Sequence, residues 1–141
     1  MIVVDTSVLI AIIAQEIDAD LYISALEQAA ACCIAAPNYF EALLVATGKK
    51  SDPNSVRRLV VESGMTVVSW TEAMAELAAQ AYIQYGRGRH KAALNFGDCM
   101  AYALAKSLDA PLLYKGNDFA LTDLRPIARP PHADAPDAGP K

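Results

Sequence analysis

Short runs of β-branched and apolar residues alternate along the chain with longer segments in which apolar positions recur at three- and four-residue steps. Such runs are typical of buried strands, and such segments of amphipathic helices. The predicted strands are 2–4, 32–35, 66–68 and 111–114. The predicted helices begin near residues 6, 18, 37, 53, 72 and 95. Strands separated by helices predict an α/β fold, with a twisted parallel sheet of four to five strands and helices on both faces.

The chain has 141 residues, of which 54% are hydrophobic, enough for one domain with a sizeable core. After Asp123 the composition changes abruptly, and the remainder is rich in Pro, Ala and Asp. Few of these residues can pack into a core. We therefore expect a folded domain over 1–124 and a disordered tail over 125–141.

The formal net charge is −4, which disfavours a protein that grips nucleic acid through an extended basic face. It does not disfavour a nuclease, because catalytic carboxylates count as negative until a cation neutralises them. Cys32, Cys33 and Cys99 lack metal-ligand spacing, so we expect reduced, buried thiols. No signal peptide or membrane span is recognisable, which predicts a cytoplasmic protein.

Four acidic residues stand at the ends of predicted elements. Asp5 follows the first strand, Asp118 lies beyond the last strand, Asp98 is in the first turn of its helix and Glu41 lies early in its own. Functional residues of an open α/β sheet gather beyond the carboxyl ends of its strands, so we expect these four to share a cleft. Clustered carboxylates repel one another, and Mg²⁺, or Mn²⁺ in its place, compensates that repulsion.

Each acid also has an ordinary structural interpretation. Asp5 suits a helix cap, Asp98 a first-turn acid that complements the helix dipole, and Asp118 a turn former. Glu41 is harder to explain in this way, because apolar residues flank it on both sides. Zinc is disfavoured, since the chain has no His or Cys cluster.

Blocks in a fixed order resemble the PIN-domain ribonucleases, specifically the VapC toxins of bacterial toxin–antitoxin pairs. The matching blocks are Met1–Ser7, Pro37–Glu41, Asn95–Ala105 and Leu112–Phe119, followed by Thr122 and Asp123. The resemblance implies a sheet of about five strands, Mg²⁺-dependent endoribonuclease activity through water activated at carboxylate-bound Mg²⁺, and neutralisation by a cognate antitoxin.

The resemblance also implies roles for individual residues. Asp5 and Asp98 are the expected metal ligands, Glu41 holds or orients the metal-bound water, and Asp118 completes the quartet. Either Asn117 or Asp118 takes the fourth position, because related sequences often carry an acid where Asn117 stands. The remaining candidates would act as hydrogen-bonding groups around the site: Thr6, Ser7, Asn117, Thr122 and Asp123.

RNA phosphates require positive charge near the acids. The candidates are Arg87, Arg89, His90 and Lys91, which lead into the Asp98 helix, and Lys115, which lies near Asp118. The pairs Lys49–Lys50 and Arg57–Arg58 are interpreted instead as ordinary solvated surface.

The helices over about 18–31 and 37–48 carry more apolar residues than one core needs. We expect them to form a groove for an antitoxin segment and a homodimer surface, although a generous core is the simpler explanation.

Three other classes of protein fit the sequence less well. A phosphoacceptor receiver domain needs an acidic pair after the first strand and an Asp after a central strand, and neither is present. A haloacid-dehalogenase-type phosphatase needs a second Asp two residues after the first, where this chain has Ser7. The third alternative is a PIN-fold binding module that has lost catalysis, which the presence of all four acids disfavours.

Overall fold

In the computed structural model of the chain, residues 1–48, 51–125 and 127 are described. Its strands are β1 (Ile2–Val4), β2 (Cys32–Ala35), β3 (Thr66–Val68) and β4 (Leu112–Leu113). They form one sheet in the order β3-β2-β1-β4, and every pairing is parallel. The predicted α/β fold with a parallel sheet is confirmed. In these ranges the sheet has four strands, and β4 is shorter than predicted.

Each helix begins close to the position that was predicted from its capping residue. They are α1 (Thr6–Ile13), α2 (Ala19–Gln28), α3 (Ala36–Gly48), α4 (Pro53–Glu62), α5 (Glu72–Tyr85) and α6 (Phe96–Leu108), followed by a 3₁₀ turn (Asp118–Leu121). The side chains of Asp52 and Thr71 accept backbone hydrogen bonds at the starts of α4 and α5. These caps satisfy amide groups that have no partner within the helix.

Alternate residues of the central strands enter two separate hydrophobic cores. Val3 and Cys33 pack with α5 and α6 on one face of the sheet. Val4, Cys32 and Ile34 pack with α1 to α4 on the other face. This alternation, imposed by the period of two in a strand, confirms the prediction of helices on both faces. The three cysteines are free and buried, as predicted: Cys32, Cys33 and Cys99.

Two sequence predictions fall largely outside the described residues. The proposed tail over 125–141 is represented only by Arg125 and Ile127, and the Lys49–Lys50 pair is not described. Within the described ranges, no helix has both the length and the apolar character needed to cross a membrane.

The carboxyl ends of β1 and β4 lie side by side. The backbone amide of Asp5 donates to the carbonyl of Leu113 at 2.9 Å, directly beyond the paired residues Val4 and Leu113. The first and last strands therefore deliver their following loops to the same edge of the sheet.

Candidate active site

Asp5 caps α1 from this edge of the sheet. Asp5 is only 5% exposed. Its Oδ2 accepts hydrogen bonds from the Ser7 amide at 3.1 Å and from the Ser7 hydroxyl at 2.6 Å. Burial raises the pKa of Asp5 to about 6. The Ser7 hydrogen bonds oppose that rise, and the charges of Asp98 and Glu41 add to it. The Asp5 carboxylate therefore makes the predicted helix cap and also interacts electrostatically with two of the other predicted site acids.

Asp98 is the third residue of α6 and takes part in a capping box. Its amide donates to Asn95 Oδ1 at 2.9 Å, while its Oδ2 accepts from the Asn95 amide at 3.0 Å. The pKa of Asp98 is raised by burial and, further, by the charges of Asp118 and Glu41. The Asn95 hydrogen bond and the positive charge of Arg87 lower it. Asp98 therefore lies within electrostatic reach of acids from three other segments.

The Glu41 carboxylate lies against the first turn of α6. A Cβ atom placed on Gly97 would be 2.5 Å from Glu41 Oε2 and 2.8 Å from Oε1. Real Cβ contacts are never this short, so glycine is required at position 97 for Glu41 to keep its place. Glu41 is half-buried, which leaves part of it facing solvent.

Asn38 joins α3 to α6 and to α1, and it was not among the predicted site residues. Its side chain is fully buried, and its Nδ2 donates to the carbonyl of Gly97 at 3.0 Å. Its own backbone carbonyl accepts from the Thr6 hydroxyl at 3.0 Å. Asn38 Oδ1 is buried and has no partner among the described residues. One signal was available, because Asn38 is a polar residue three positions before Glu41 on the same helix.

Asp118 opens the 3₁₀ turn beyond β4 and is exposed. Its charge raises the pKa of Asp98, so it belongs to the same electrostatic group. Asn117 precedes it, and its side chain makes no capping hydrogen bond to that turn. The choice between Asn117 and Asp118 as fourth ligand remains a prediction.

The donor chemistry of this site suits a hard divalent cation. Carboxylate and amide oxygens are ligands that Mg²⁺ accepts, and the predicted site residues carry both kinds: Asp5, Glu41, Asp98, Asp118 and Asn117. As the side chains are placed, however, no three acidic, His or Cys groups in the described ranges are close enough together to hold a metal ion. Asp98 Oδ2 is engaged instead with the Asn95 amide. The four acids are therefore coupled through charge, without forming a closed coordination shell.

Thr6 and Ser7 both make hydrogen bonds beside Asp5. The Thr6 hydroxyl reaches the Asn38 carbonyl, and the Ser7 hydroxyl accepts from the Lys115 amide at 3.0 Å while donating to Asp5. Ser7 thereby links the loop after β4 to the loop after β1.

The loop between α5 and α6 carries the predicted cationic residues, all of them exposed: Arg87, Arg89, His90 and Lys91. Arg87 lowers the pKa of Asp98, which places its charge near the acids. The Arg89 guanidinium lies 5.8 Å from the centre of the Tyr82 ring. Of the two pairs interpreted as solvated surface, the described one, Arg57 and Arg58, is exposed on α4.

Lys115 has acidic partners other than Asp118. Its amine forms ion pairs with Glu16 and, at 3.1 Å, with Asp18. These contacts raise its pKa, chiefly through the hydrogen bond to Glu16. To bind phosphate, Lys115 would have to leave these partners.

Thr122 and Asp123 stabilise the end of the described fold. The Thr122 hydroxyl donates to the Phe119 carbonyl at 2.7 Å. Asp123 accepts from the Tyr102 hydroxyl at 2.5 Å and pairs with Lys106 at 2.9 Å. These contacts give Thr122 and Asp123 a structural role, and none of them involves an acid of the site.

Comparison with known proteins gives first the class of protein. The family model of the PIN domain matches residues 2–124. A solved Mycobacterium tuberculosis VapC20, described as a Sarcin-Ricin loop cleaving toxin, superposes with a TM-score of 0.73 at 14% identity, covering 92% of this chain and 100% of that one. A toxin–antitoxin complex from Klebsiella pneumoniae gives a TM-score of 0.67 at 18% identity, covering 87% of this chain and 93% of that one. These two likenesses confirm the fold.

Sequence relatives then narrow the class. The chain is 37% identical over 131 residues to VapC ribonuclease Mb0640 of Mycobacterium bovis, covering 91% of this chain and 99% of that protein. It is 42% identical over 127 residues to ribonuclease VapC28 of Mycobacterium tuberculosis, covering 87% and 95%. The chain belongs to the VapC ribonucleases of the PIN-domain family.

Proposed function

We propose that this chain is a Mg²⁺-dependent endoribonuclease, with Mn²⁺ able to replace Mg²⁺, and the toxin of a toxin–antitoxin pair. The observation that carries the proposal is the position of Asp98. Its pKa is raised by the charges of both Glu41 and Asp118, and its own charge raises the pKa of Asp5. Acids from four separate segments therefore act on one another at the carboxyl edge of the sheet, which is where such a reaction would take place.

The residues divide the work of phosphodiester hydrolysis between them. Asp5 and Asp98 would hold the cation, with Asp118 or Asn117 completing its surroundings. A bound Mg²⁺ would neutralise the acids and polarise the scissile phosphate. Glu41, whose carboxylate packs closely against Gly97, would orient the attacking water. Ser7 fixes the Asp5 carboxylate through two hydrogen bonds, so that this acid does not reorganise during the reaction.

The RNA substrate needs positive charge to offset the acidic site. Arg87 is the first candidate, because its charge already acts on Asp98. Arg89, His90 and Lys91 are exposed on the same loop and would contact neighbouring phosphates. Lys115 would contribute only after release from Glu16 and Asp18.

A protein partner would cover the apolar residues left exposed on the early helices. Of the two helices predicted to form a groove, α3 exposes Phe40 and Leu44, which are 60% and 56% exposed and lie one turn apart, whereas α2 exposes none of its large apolar side chains. Val61 on α4, outside the predicted groove, is 77% exposed. We propose that this side of the molecule receives the antitoxin, by analogy with the toxin–antitoxin complex among the structural neighbours. We propose that it also contributes to a homodimer. The proposed place of action is the cytoplasm.

The test is cleavage of labelled total RNA by the purified chain, with Mg²⁺, with Mn²⁺ and with chelator. Asp98→Asn retains an amide oxygen for the capping box but lacks the charge. Glu62→Gln, on the exposed surface of α4, is the matched control. We expect discrete, metal-dependent fragments from wild type and Glu62→Gln, and none from a folded Asp98→Asn. Identical products from all three proteins, or none from antitoxin-free wild type, would favour a catalytically silent binding module.

A further inference from the structure

A cavity of about 410 Å³ lies between α5 and α6. Three aromatic side chains line it, Trp70, Tyr82 and Phe96, together with Cys99, Met100 and small alanines of α5. Its volume falls within the range of small-ligand sites, and its lining is almost entirely apolar. None of these aromatic residues takes part in the acidic site described above.

This cavity and the acidic site share the first turn of α6, on different faces of that turn. Phe96 is the first residue of that helix, and Asp98 follows two positions later in the same turn. Phe96 is nevertheless 82% exposed, so the protein core does not bury its ring. An exposed aromatic ring on the rim of an apolar cavity, in the same helical turn as Asp98, is available to a ligand.

The rim of the cavity is cationic where it meets the loop between α5 and α6. The Arg89 guanidinium lies 5.8 Å from the centre of the Tyr82 ring, and Arg87 acts electrostatically on Asp98. This loop is held in place, since the Arg87 amide donates to the Leu94 carbonyl and the Leu94 amide to the Tyr85 carbonyl, both at 3.0 Å. Positive charge therefore extends from the acidic site to the mouth of the cavity.

We propose that the cavity binds one nucleobase of the RNA, from a nucleotide next to the scissile phosphate. The inference rests on the proposed ribonuclease function and deepens it. A nucleotide combines a flat apolar base with an anionic phosphate, and the cavity offers aromatic walls beside arginines. A second copy of the chain fits less well, because a twofold contact brings the same surface, with its arginines, onto itself.

Stacking against aromatic rings recognises the area of a base rather than its hydrogen-bonding edge. The cavity lining offers few polar groups to read that edge. The bound position should therefore prefer purines over pyrimidines and distinguish poorly between adenine and guanine.

Trp70 is the single tryptophan of the chain, so its fluorescence reports on the cavity directly. The full chain is titrated in chelator, which prevents cleavage, with a short single-stranded oligoadenylate and with the same ribose-phosphate chain lacking bases. RNA binding is followed separately by anisotropy of an end label. We expect saturable quenching of Trp70 by the oligoadenylate and none by the abasic chain.

Three variants separate stacking from a structural effect. Phe96→Ala should weaken oligoadenylate binding about 5- to 150-fold, the range for losing one stacked base. Phe96→Tyr, which keeps an aromatic ring, should retain binding. Ile83→Ala is the control and should bind as wild type. Ile83 is also an exposed apolar residue, but it lies on α5 and does not line the cavity.

The proposal is overturned if the abasic chain binds as tightly as oligoadenylate, or if Phe96→Ala alters only the oligomeric mass and leaves RNA affinity unchanged. Metal-dependent cleavage measured on the same preparations separates the two conclusions. Cleavage without any role for Phe96 or Trp70 would remove the nucleobase site and leave the ribonuclease proposal standing. Absence of both RNA binding and cleavage in the wild type would contradict both the nucleobase site and the ribonuclease proposal.

Discussion

The Asn38 side-chain amide donates a 3.0 Å hydrogen bond to the Gly97 carbonyl, across 59 positions of sequence. This bond joins the first turn of α3 to the first turn of α6, one residue before Asp98. The Asn38 carbonyl also accepts from Thr6, so the start of α1 is tied to the same residue. One buried residue thus links the three helix starts that carry Asp5, Glu41 and Asp98, through its side chain to α6 and through its backbone carbonyl to α1.

Asn38→Ala is expected to reduce both stability and activity. It removes the side-chain donor to the Gly97 carbonyl, and a hydrogen bond of this kind contributes about 0.5–1.5 kcal/mol. Urea unfolding measures that change. Cleavage of labelled RNA should fall further than the unfolding equilibrium explains, because α3 and α6 are no longer held in register. Asn54→Ala, at an exposed asparagine whose Oδ1 accepts from Arg57, should change neither quantity by a comparable amount.

Gly97→Ala is expected to separate activity from stability. The added Cβ would meet Glu41 Oε2 at 2.5 Å and push that flexible carboxylate away, while the backbone keeps its place. We expect cleavage to fall at least about tenfold and the free energy of unfolding to change by less than about 1 kcal/mol. Gly48→Ala is the matched control, because a Cβ there meets nothing within 4 Å. Wild-type cleavage by Gly97→Ala would show that the position of Glu41 does not matter.

Much of this fold was predictable because its signals are local. The β-branched run after Met1 and the caps at Asp52 and Thr71 predict their elements from a few neighbouring residues. The position of Asp5 at the carboxyl edge of the sheet was predictable for a similar reason, since a strand end and the sheet edge are fixed by the fold class.

The contacts that position the site were not predictable, because they join segments distant in sequence. Asn38, after a proline, indicates only the opening of a helix, and its burial depends on how α3 packs against α6. Lys115 stands three residues before Asp118 in sequence, yet its amine pairs with Glu16 and Asp18. The cavity beside Phe96 depends likewise on the packing of α5 against α6.

Asp5→Asn is expected to stabilise the metal-free protein above pH 6. The folded-state pKa of Asp5 is raised from 3.8 to about 6, so the folded protein favours the protonated acid. The contribution of Asp5 to the free energy of unfolding is therefore greatest below the unfolded-state pKa of 3.8. That contribution falls by up to about 3 kcal/mol as the pH rises through about 6. Asn carries no charge and escapes this loss. Urea unfolding in chelator should show the variant more stable at pH 7.5 and equal to wild type near pH 4.

Magnesium provides the second half of that test. Added Mg²⁺ should stabilise wild type at pH 7.5 and leave Asp5→Asn nearly unchanged, since binding to the folded state alone raises stability. Asp20→Asn, at an exposed acid in the first turn of α2, should respond to Mg²⁺ as wild type does. Equal stabilisation of Asp5→Asn and wild type would show that Asp5 is not a metal ligand.

Ser7→Ala is expected to weaken metal use without removing it. The Ser7 hydroxyl donates to Asp5 Oδ2 at 2.6 Å and lowers the pKa of that carboxyl against the effect of burial. Without it the pKa of Asp5 rises further, so a larger fraction is protonated at neutral pH and Mg²⁺ must displace that proton. Cleavage at pH 7 should need several-fold more Mg²⁺ for half-maximal rate, and raising the pH should restore it.

That recovery distinguishes an electrostatic role for Ser7 from a structural one. The Ser7 hydroxyl also accepts from the Lys115 amide at 3.0 Å, so its loss could loosen the loop after β4. A loosened loop would lower the rate at every pH, because the geometry of Asp118 does not depend on the protonation of Asp5. Ser107→Ala, whose hydroxyl donates to Leu104 at the far end of α6, controls for the loss of a serine. A Mg²⁺ requirement in Ser7→Ala that matches wild type across the pH range would contradict the role assigned to Ser7, because Asp5 would then bind the cation without that hydrogen bond.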